Sequence, residues 1–217
     1  MSDISSPSMM IYEQYAEVAK ALANPHRLVL IEHLAQCELS VEALAQRAGL
    51  SIANTSQHLQ LLKRVRIVSS RRDGKRILYR IAGTPALAFF TALQQFADMH
   101  NATVREIVAS YYNTRDTLEP VSREELMQRL DTGDVTLLDV RPEEEYLSGH
   151  IPGAVGIPLD ELEKRLLELP KDQEIVAYCR GAHCILSLEA VSFLRSRGYQ
   201  VRRLESGFLE YPVAQGQ

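Results

Sequence analysis

A polar stretch near the middle of the chain, "NTRDTLEPVSREE" (residues 113–125), separates two regions of different hydrophobic periodicity. Before it, apolar residues recur at the spacing of amphipathic helices. After it, short apolar runs alternate with helical patterns. The stretch contains Pro120, and 217 residues are enough for two small domains. We therefore predict a domain over residues 1–115, a linker over 116–122 and a second domain over 123–217.

The net charge of −4 is unevenly distributed. Residues 1–118 carry 13 Lys and Arg against 10 Asp and Glu, whereas residues 119–217 carry 11 against 18. Eight basic residues lie between Lys63 and Arg80, with Asp73 as the one acid among them. A basic patch on an acidic chain indicates a confined nucleic-acid-binding surface, the alternative being a solvated charged face.

The sequence predicts no membrane partner and no secretory signal. No apolar run approaches the ~20 residues that span a bilayer. The first twenty residues lack a basic region followed by an apolar one. We therefore expect a cytoplasmic protein, in which Cys37, Cys179 and Cys184 are reduced, reactive or metal-binding rather than joined in structural disulfides.

The stretch "LSVEALAQRAGLSIANTSQHLQLLKRVRIV" has the pattern of two short helices. Ser40 can cap a helix over Val41–Ala48, and Gly49 can end that helix in a tight turn. Ser51 can cap a second helix that runs to about Arg64. Two short helices joined by a turn that contains glycine form a helix-turn-helix.

The flanking segments complete this domain. Residues 11–37 have a helical pattern that Pro25 breaks. Two strands around Asp73-Gly74 form a hairpin, which after a helix-turn-helix is a wing. One long amphipathic helix begins at Thr84, and its apolar stripe exceeds what so small a domain can cover. We therefore predict a homodimer through the first and last helices.

The second helix of such a motif enters the major groove of double-stranded DNA with its N-terminal residues on the base edges. Asn and Gln suit adenine, Ser and Thr reach bases or phosphates, and a basic wing reaches phosphates or the minor groove. We predict operator contacts by Ser51, Asn54, Thr55, Ser56, Gln57, His58, Lys63, Arg71, Arg72, Lys75 and Arg76.

The first half resembles the ArsR/SmtB family of winged-helix repressors over about residues 10–115. The resemblance rests on "LANPHRLVLIEHL", "LSIANTSQHLQLLKRVRIVSSRRDGKRILYRI" and the long helix after them. It implies a homodimeric repressor of a palindromic operator. Arg66 departs from the family, because a small turn residue is usual there.

The metal sites of that family are incomplete in this chain. The stretch that matches its thiolate motif reads "ELSVE" (residues 38–42) without a cysteine, and soft metals need thiolates. Asp98 and His100 match half of an interface zinc site, but Tyr111 stands where the next histidine belongs. We therefore predict no metal site and no cofactor.

The second half reads as an α/β domain. The runs "VTLLDVR" (135–141) and "EIVAYCR" (174–180) suit buried parallel strands, and helical patterns alternate with them. Cys179 lies where a strand ends and a loop opens, which is the usual ligand position in such sheets. A helix that starts near Ile185 directs its N-terminus at the loop and favours a thiolate there. Cys179 is therefore the predicted nucleophile.

This half resembles a rhodanese domain over about residues 120–215. The carrying motifs are Asp-Val-Arg from Asp139 to Arg141, the following Glu-Tyr, "GHIPGA", and Cys179 after a buried strand. The resemblance implies a five-stranded parallel sheet flanked by helices and a cysteine that accepts sulfane sulfur as a persulfide. We expect Asp139 and Arg141 to brace the loop and Arg180 to add positive charge beside it.

The loop departs from the common Cys-Arg-x-Gly-x-Arg pattern. Ala182 takes the place of the glycine, and Cys184 takes the place of the final arginine, which weakens oxyanion binding. In exchange, Cys184 could attack a persulfide on Cys179 and close a disulfide or polysulfide bridge, unless it packs as an inert thiol. The sequence predicts a dimeric repressor that senses persulfide, polysulfide or thiosulfate through Cys179, with Cys184 as a second reactive group.

Three alternatives remain open. The chain could be a sulfurtransferase with Cys179 as its nucleophile, or a repressor that responds to arsenite or a soft metal. The loop could also be an inert protein-binding module. The predicted fold class is the same in every case: a mainly α winged helix-turn-helix with a β-hairpin wing, then an α/β rhodanese-like parallel sheet flanked by helices.

Overall fold

The computed structural model describes residues 6–111 and 119–210. The chain divides into two compact units, with the boundary between Phe90 and Thr91. Residues 116–118 of the predicted linker, 116–122, lie outside the described residues, and the predicted domain limits stay predictions. Over the described ranges, no helix is both long and apolar enough to cross a membrane.

Helices α2, α3 and α4 of the first unit begin at residues with capping side chains, and the sequence analysis named two of these residues, Ser40 and Ser51. Asn24, Ser40 and Ser51 each accept a hydrogen bond from a backbone N–H three residues on. Gly49 ends the third helix with φ 65°, a left-handed conformation that suits glycine. The predicted break at Pro25 and both helices of the helix-turn-helix are confirmed. The helices are α1 (Pro7–Leu22), α2 (Pro25–Gln36), α3 (Val41–Ala48) and α4 (Ile52–Arg64).

The predicted wing is present as an antiparallel hairpin. It consists of β2 (Val68–Asp73) and β3 (Arg76–Ile81), and the short β1 (Leu39–Ser40) pairs with the other edge of β3. Asp73 pairs with Arg76, so the turn is formed by Gly74 and Lys75, one residue later than the sequence suggested. Gly74 has φ 59° at the first turn position, where hairpins favour glycine.

The prediction of one long helix from Thr84 is wrong. The structure has α5 (Thr84–His100) and α6 (Ala102–Tyr111), with Asn101 between them. The side-chain oxygen of Asn101 accepts the backbone N–H groups of Thr103 at 3.0 Å and Val104 at 3.4 Å. Asparagine therefore starts a new helix, because its side chain competes with the backbone for those donors. The last residue of the predicted helix, Tyr112, lies outside the described residues.

The second unit contains a parallel sheet in the order β5-β4-β6-β7. Apolar side chains cover both faces of its two central strands, as the continuous apolar runs predicted. Asp139 at the end of β4 lies opposite Tyr178 at the end of β6, so both strands deliver their last residues to one edge. The elements are α7 (Arg123–Thr132), β4 (Val135–Asp139), α8 (Glu143–Ser148), β5 (Val155–Gly156), β6 (Glu174–Tyr178), α9 (Ile185–Ser196) and β7 (Val201–Arg203).

The expected fifth strand is reduced to a single bridge. Val121 pairs in parallel with Leu204 beyond the edge strand β7. The pairing ends there because Ser122 caps α7 through the backbone N–H of Glu125, at 3.1 Å. Pro120 precedes the bridge and has no N–H to donate.

Candidate functional site

The loop between β6 and α9 holds Cys179 and Cys184, and the two form a disulfide with their Cα atoms 6.0 Å apart. The expectation that these cysteines are free thiols is therefore wrong for the state in the structure. The backbone N–H of Cys184 donates to the carbonyl of Gly181, which folds the loop back on itself. Both cysteines are buried, whereas Cys37 forms no disulfide and is half-buried.

Helix α9 begins directly after the loop, at the residue that the sequence suggested. Its N-cap is Cys184, which makes no side-chain capping bond. The first-turn N–H groups of a helix have no acceptor within the helix, and its N-terminus carries partial positive charge. When the disulfide is reduced, this arrangement favours a negatively charged sulfur in the loop.

Asp139 and Arg141 form a fully buried ion pair beside the loop. Their closest atoms, Nη2 and Oδ2, are 2.6 Å apart, and Nη2 also donates to the carbonyl of Gly149 at 2.8 Å. Burial lowers the pKa of Arg141, but the hydrogen bond and charge of Asp139 raise it above its ordinary value, so the arginine stays charged. The ring of Phe208 covers the guanidinium with its centroid 4.0 Å from Cζ.

Tyr178 shares this buried cluster. Burial, together with the neighbouring Asp139, raises the pKa of its hydroxyl well above the usual range. The hydroxyl oxygen accepts the backbone N–H of Ile151 at 3.0 Å. Tyr178 therefore stays neutral and ties the segment after α8 to the end of β6.

Arg180 does not offer its charge to the loop as the sequence led us to expect. Its guanidinium binds both carboxylate oxygens of Glu145, at 2.7 and 2.9 Å. Glu145 lies on α8 and is fully buried, and the Arg180 side chain is 12% exposed. The two charges neutralise each other, because a two-point arginine–carboxylate pair holds both groups in place.

The segment from Ser206 to Leu209, here called the C-terminal strap, holds the cysteine loop from one side. The N–H of Phe208 donates to the carbonyl of Cys179 at 2.9 Å, and that of Leu209 donates to the carbonyl of Arg180 at 3.1 Å. Asp139 and Arg141 thus brace the loop indirectly, through the Phe208 ring that covers Arg141.

Sequence reasoning missed four residues around the loop. Gly207 lets the strap approach so closely that a Cβ there would lie 2.2 Å from the backbone nitrogen of Gly181. Arg203 reaches from β7 to the carbonyl of Ala182, at 2.7 Å. Glu145 stood in the Glu-Tyr motif without an assigned role. No sequence feature indicated a role for Gly207 or Phe208, because the residues that they contact are distant in sequence.

The predicted DNA-contacting residues of α4 mostly face outward. Ser51, Asn54 and Gln57 are exposed, while Ser56 and His58 are half-buried. Burial, Arg27 and His26 lower the pKa of His58.

Thr55 differs from these residues. It is fully buried, and its hydroxyl donates to the carbonyl of Ser51 at 3.0 Å. It therefore belongs to the packed side of α4 and is left out of the surface proposed for DNA.

The basic side chains of the wing are all exposed. Lys63 donates to the hydroxyl of Ser70 at 2.7 Å, and Arg72 donates to the carbonyl of Gly74 at 3.0 Å. Arg71 is 2.7 Å from the carboxylate of Glu38, which raises the pKa of Arg71. The remaining predicted side chains, Lys75 and Arg76, are also at the surface.

Comparison with known proteins accounts for both halves. A helix-turn-helix domain model matches residues 22–71, and a rhodanese-like domain model matches residues 122–212. Across 214 residues the chain is 44% identical to the HTH-type transcriptional regulator Rv0324 of Mycobacterium tuberculosis. This match covers 99% of the chain and 94% of that protein. This chain is an ArsR-family helix-turn-helix transcriptional regulator. Its C-terminal half is a rhodanese-like domain, so both resemblances are confirmed.

Each half of the regulator also matches shorter proteins. The rhodanese-like half is 39% identical over 94 residues to a sulfurtransferase of Allochromatium vinosum, covering 42% of the regulator and 85% of that protein. The helical half is 40% identical to a solved homodimeric winged helix-turn-helix domain, Mb0332 of Mycobacterium bovis. That match covers 48% of the regulator and 95% of the solved chain, with a TM-score of 0.43.

Proposed function

We propose that this regulator is a DNA-binding repressor that senses reactive sulfur through Cys179 and Cys184. The observation that carries the proposal is the pairing of these two cysteines in one loop, at the carboxyl end of a parallel sheet. A single nucleophilic cysteine suffices for a sulfurtransferase. A second cysteine within bonding distance gives the loop two covalent states.

The chemistry follows from that pairing. The Cys179 thiolate attacks the outer sulfur of a persulfide, R–S–SH, and the R–S⁻ thiolate leaves. The Cys184 thiolate then attacks Sγ of the Cys179 persulfide, and HS⁻ leaves as the disulfide forms. Two thiols are oxidised, and the sulfane sulfur of the donor is reduced to sulfide.

The DNA-binding part of the proposal rests on the exposed face of α4 and on the basic wing. Exposed Ser, Asn and Gln side chains at the start of α4 suit base edges, and the wing arginines and lysine suit phosphates. We further propose a homodimer through α1 and α5. Both helices expose large apolar side chains: Met9, Met10, Ile11, Tyr12 and Tyr15 on α1, and Phe89, Leu93, Phe96 and Met99 on α5.

The direct test is operator binding measured by fluorescence anisotropy at fixed salt, with and without polysulfide. We expect polysulfide to weaken binding by the reduced wild-type protein and to leave Cys179→Ser unchanged. Cys184→Ser separates the two steps, because it forms the persulfide but not the disulfide. Cys37→Ser is the matched control and should respond like the wild type. Equal binding in all arms would overturn the proposal.

Sulfurtransferase activity is the second candidate, favoured by the identity of this half to the Allochromatium vinosum sulfurtransferase. It predicts repeated transfer of sulfur from thiosulfate to cyanide at catalytic protein concentration. Steady turnover without any change in operator binding would favour the enzyme over the sensor.

A further inference from the structure

Three arginine side chains approach the cysteine loop, and each is bonded to a protein acceptor. Arg180 is bound at two points by the buried carboxylate of Glu145. Arg141 lies in the buried ion pair with Asp139. Arg203 donates to a loop carbonyl from its place on β7. Asp139 and Glu145 balance the first two arginines. The cluster keeps one net positive charge, that of Arg203, whose guanidinium is bound to the carbonyl of Ala182.

Cys184 adds no positive charge to the loop. Related loops often end in an arginine at this position, whereas here the side chain is a neutral thiol that is 9% exposed. Arg203 and His183 already have partners, the carbonyl of Ala182 and the carboxylate of Asp98. The further partners that the loop offers an oxyanion are backbone N–H groups and the α9 N-terminus. Both are weaker partners for a dianion than a guanidinium is.

The pairing of Arg180 with Glu145 and the neutral side chain of Cys184 affect sulfur donors unequally. Sulfur transfer from thiosulfate expels sulfite, whose charge develops on oxygens that need strong donors in the transition state. Transfer from a persulfide or hydropolysulfide expels a sulfur anion that spreads its charge over a larger atom. Resting on the function proposed above, we propose that the loop takes sulfane sulfur from persulfides and hydropolysulfides in preference to thiosulfate. Glu145 sets this preference by binding Arg180.

The two competing steps differ only in the leaving group. With a persulfide, Cys179–S⁻ and R–S–SH give Cys179–S–SH and R–S⁻. With thiosulfate, Cys179–S⁻ and S–SO₃²⁻ give Cys179–S–S⁻ and SO₃²⁻. In both cases one S–S bond forms and one breaks, and no further oxidant or reductant is needed.

The test measures the rate at which Cys179 of the full-length protein gains a sulfur atom, by mass spectrometry of its peptide. Cys184→Ser is the reference, because it cannot close the disulfide and its side chain stays neutral. Glutathione persulfide and thiosulfate are the two donors. We expect the reference to react roughly tenfold or more faster with the persulfide, the effect of one charge-assisted hydrogen bond.

Two variants supply a cation in different ways. Cys184→Arg places a guanidinium at the loop, and Glu145→Gln in the Cys184→Ser background releases Arg180. Each should raise the thiosulfate rate roughly tenfold while the persulfide rate stays within about twofold. Removing Glu145 leaves a buried arginine without its carboxylate, so circular dichroism must show that this variant is folded. If this variant is not folded, Cys184→Arg alone tests whether an added cation raises the thiosulfate rate.

The outcomes separate this inference from the proposed function. Equal rates for both donors in the reference would overturn the donor preference and leave sulfur sensing intact, as would a thiosulfate rate that Cys184→Arg does not raise. Faster modification by the persulfide than by thiosulfate, without any change in operator binding, would overturn the sensor but support the preference. A Cys179 that neither donor modifies would overturn both.

Discussion

Gly207 lies so close to the cysteine loop that there is no room for a side chain at this position. A methyl group at this position would lie 2.2 Å from the Gly181 nitrogen and 2.4 Å from the Arg180 carbonyl carbon. Both are backbone atoms, so no side-chain rotation can relieve the overlap. The substitution must move the strap, the loop or both.

We therefore expect Gly207→Ala to destabilise the protein by about 1–3 kcal/mol, the usual cost of overpacking. Urea unfolding followed by circular dichroism measures the change. Ser206→Ala is the matched control one residue away. Among the described residues, the buried Ser206 hydroxyl has no hydrogen-bond partner, so its removal should cost little. Equal effects of the two substitutions would show that the close approach does not constrain the loop.

The cysteines could be located from sequence, but their electrostatic surroundings could not. Cys179 and Cys184 lie within a few residues of each other, at a strand end that hydrophobic pattern identifies. The partner of Arg180 lies 35 residues away, in a run of three acids. Such a run usually indicates a solvated helix start. Burial of Glu145, the third acid, depends on how α8 packs, and that is a tertiary property.

At the scale of elements, local chemistry determined what could be predicted. Helices with a side-chain cap and a glycine or proline at an end were predicted within a few residues, because these signals act over one turn. The break at Asn101 was missed because asparagine is tolerated within helices and becomes a cap only when the chain bends. The fifth strand is reduced to one bridge because Ser122, the residue after Val121, caps α7 and does not continue the pairing.

Two basic side chains of the wing contact the acid Glu38, and we expect this contact to weaken DNA binding. Glu38, just before β1, is 2.7 Å from Arg71 on β2 and 3.7 Å from Arg80 on β3. This acid lowers the positive charge that the wing presents to phosphates. An exposed pair of this kind adds little stability, so its main effect is on the surface charge.

We expect Glu38→Gln to tighten operator binding and to steepen its dependence on salt by a slope of roughly one. Anisotropy titrations between low and moderate salt give that slope. Glu106→Gln on α6 is the matched control, because it changes the net charge equally on an element that is not part of the wing. If both variants gain the same affinity, overall charge explains the effect, and the Glu38 contact has no specific role.

At the scale of the whole molecule, the exposed apolar residues are unevenly distributed. Phe96 and Met99 on α5 are 66% and 68% exposed, and α1 exposes five further large apolar side chains. Side chains of this size rarely cluster at the surface of a monomer. A repressor that reads a palindrome needs two recognition helices at a fixed spacing, which a dimer through these helices would supply.

Phe96→Glu should therefore convert the regulator to a monomer, because a carboxylate cannot be buried in an apolar interface without a partner. Analytical ultracentrifugation should show the halved mass. Operator affinity should fall roughly 100-fold, because the two half-sites are no longer bound together. Leu167→Glu is the control: Leu167 is 95% exposed on the second unit, and its substitution should change neither quantity. If the Phe96→Glu protein remains dimeric, α5 does not form the interface. If it is a monomer that binds the operator as tightly as the wild type, operator binding does not require a dimer.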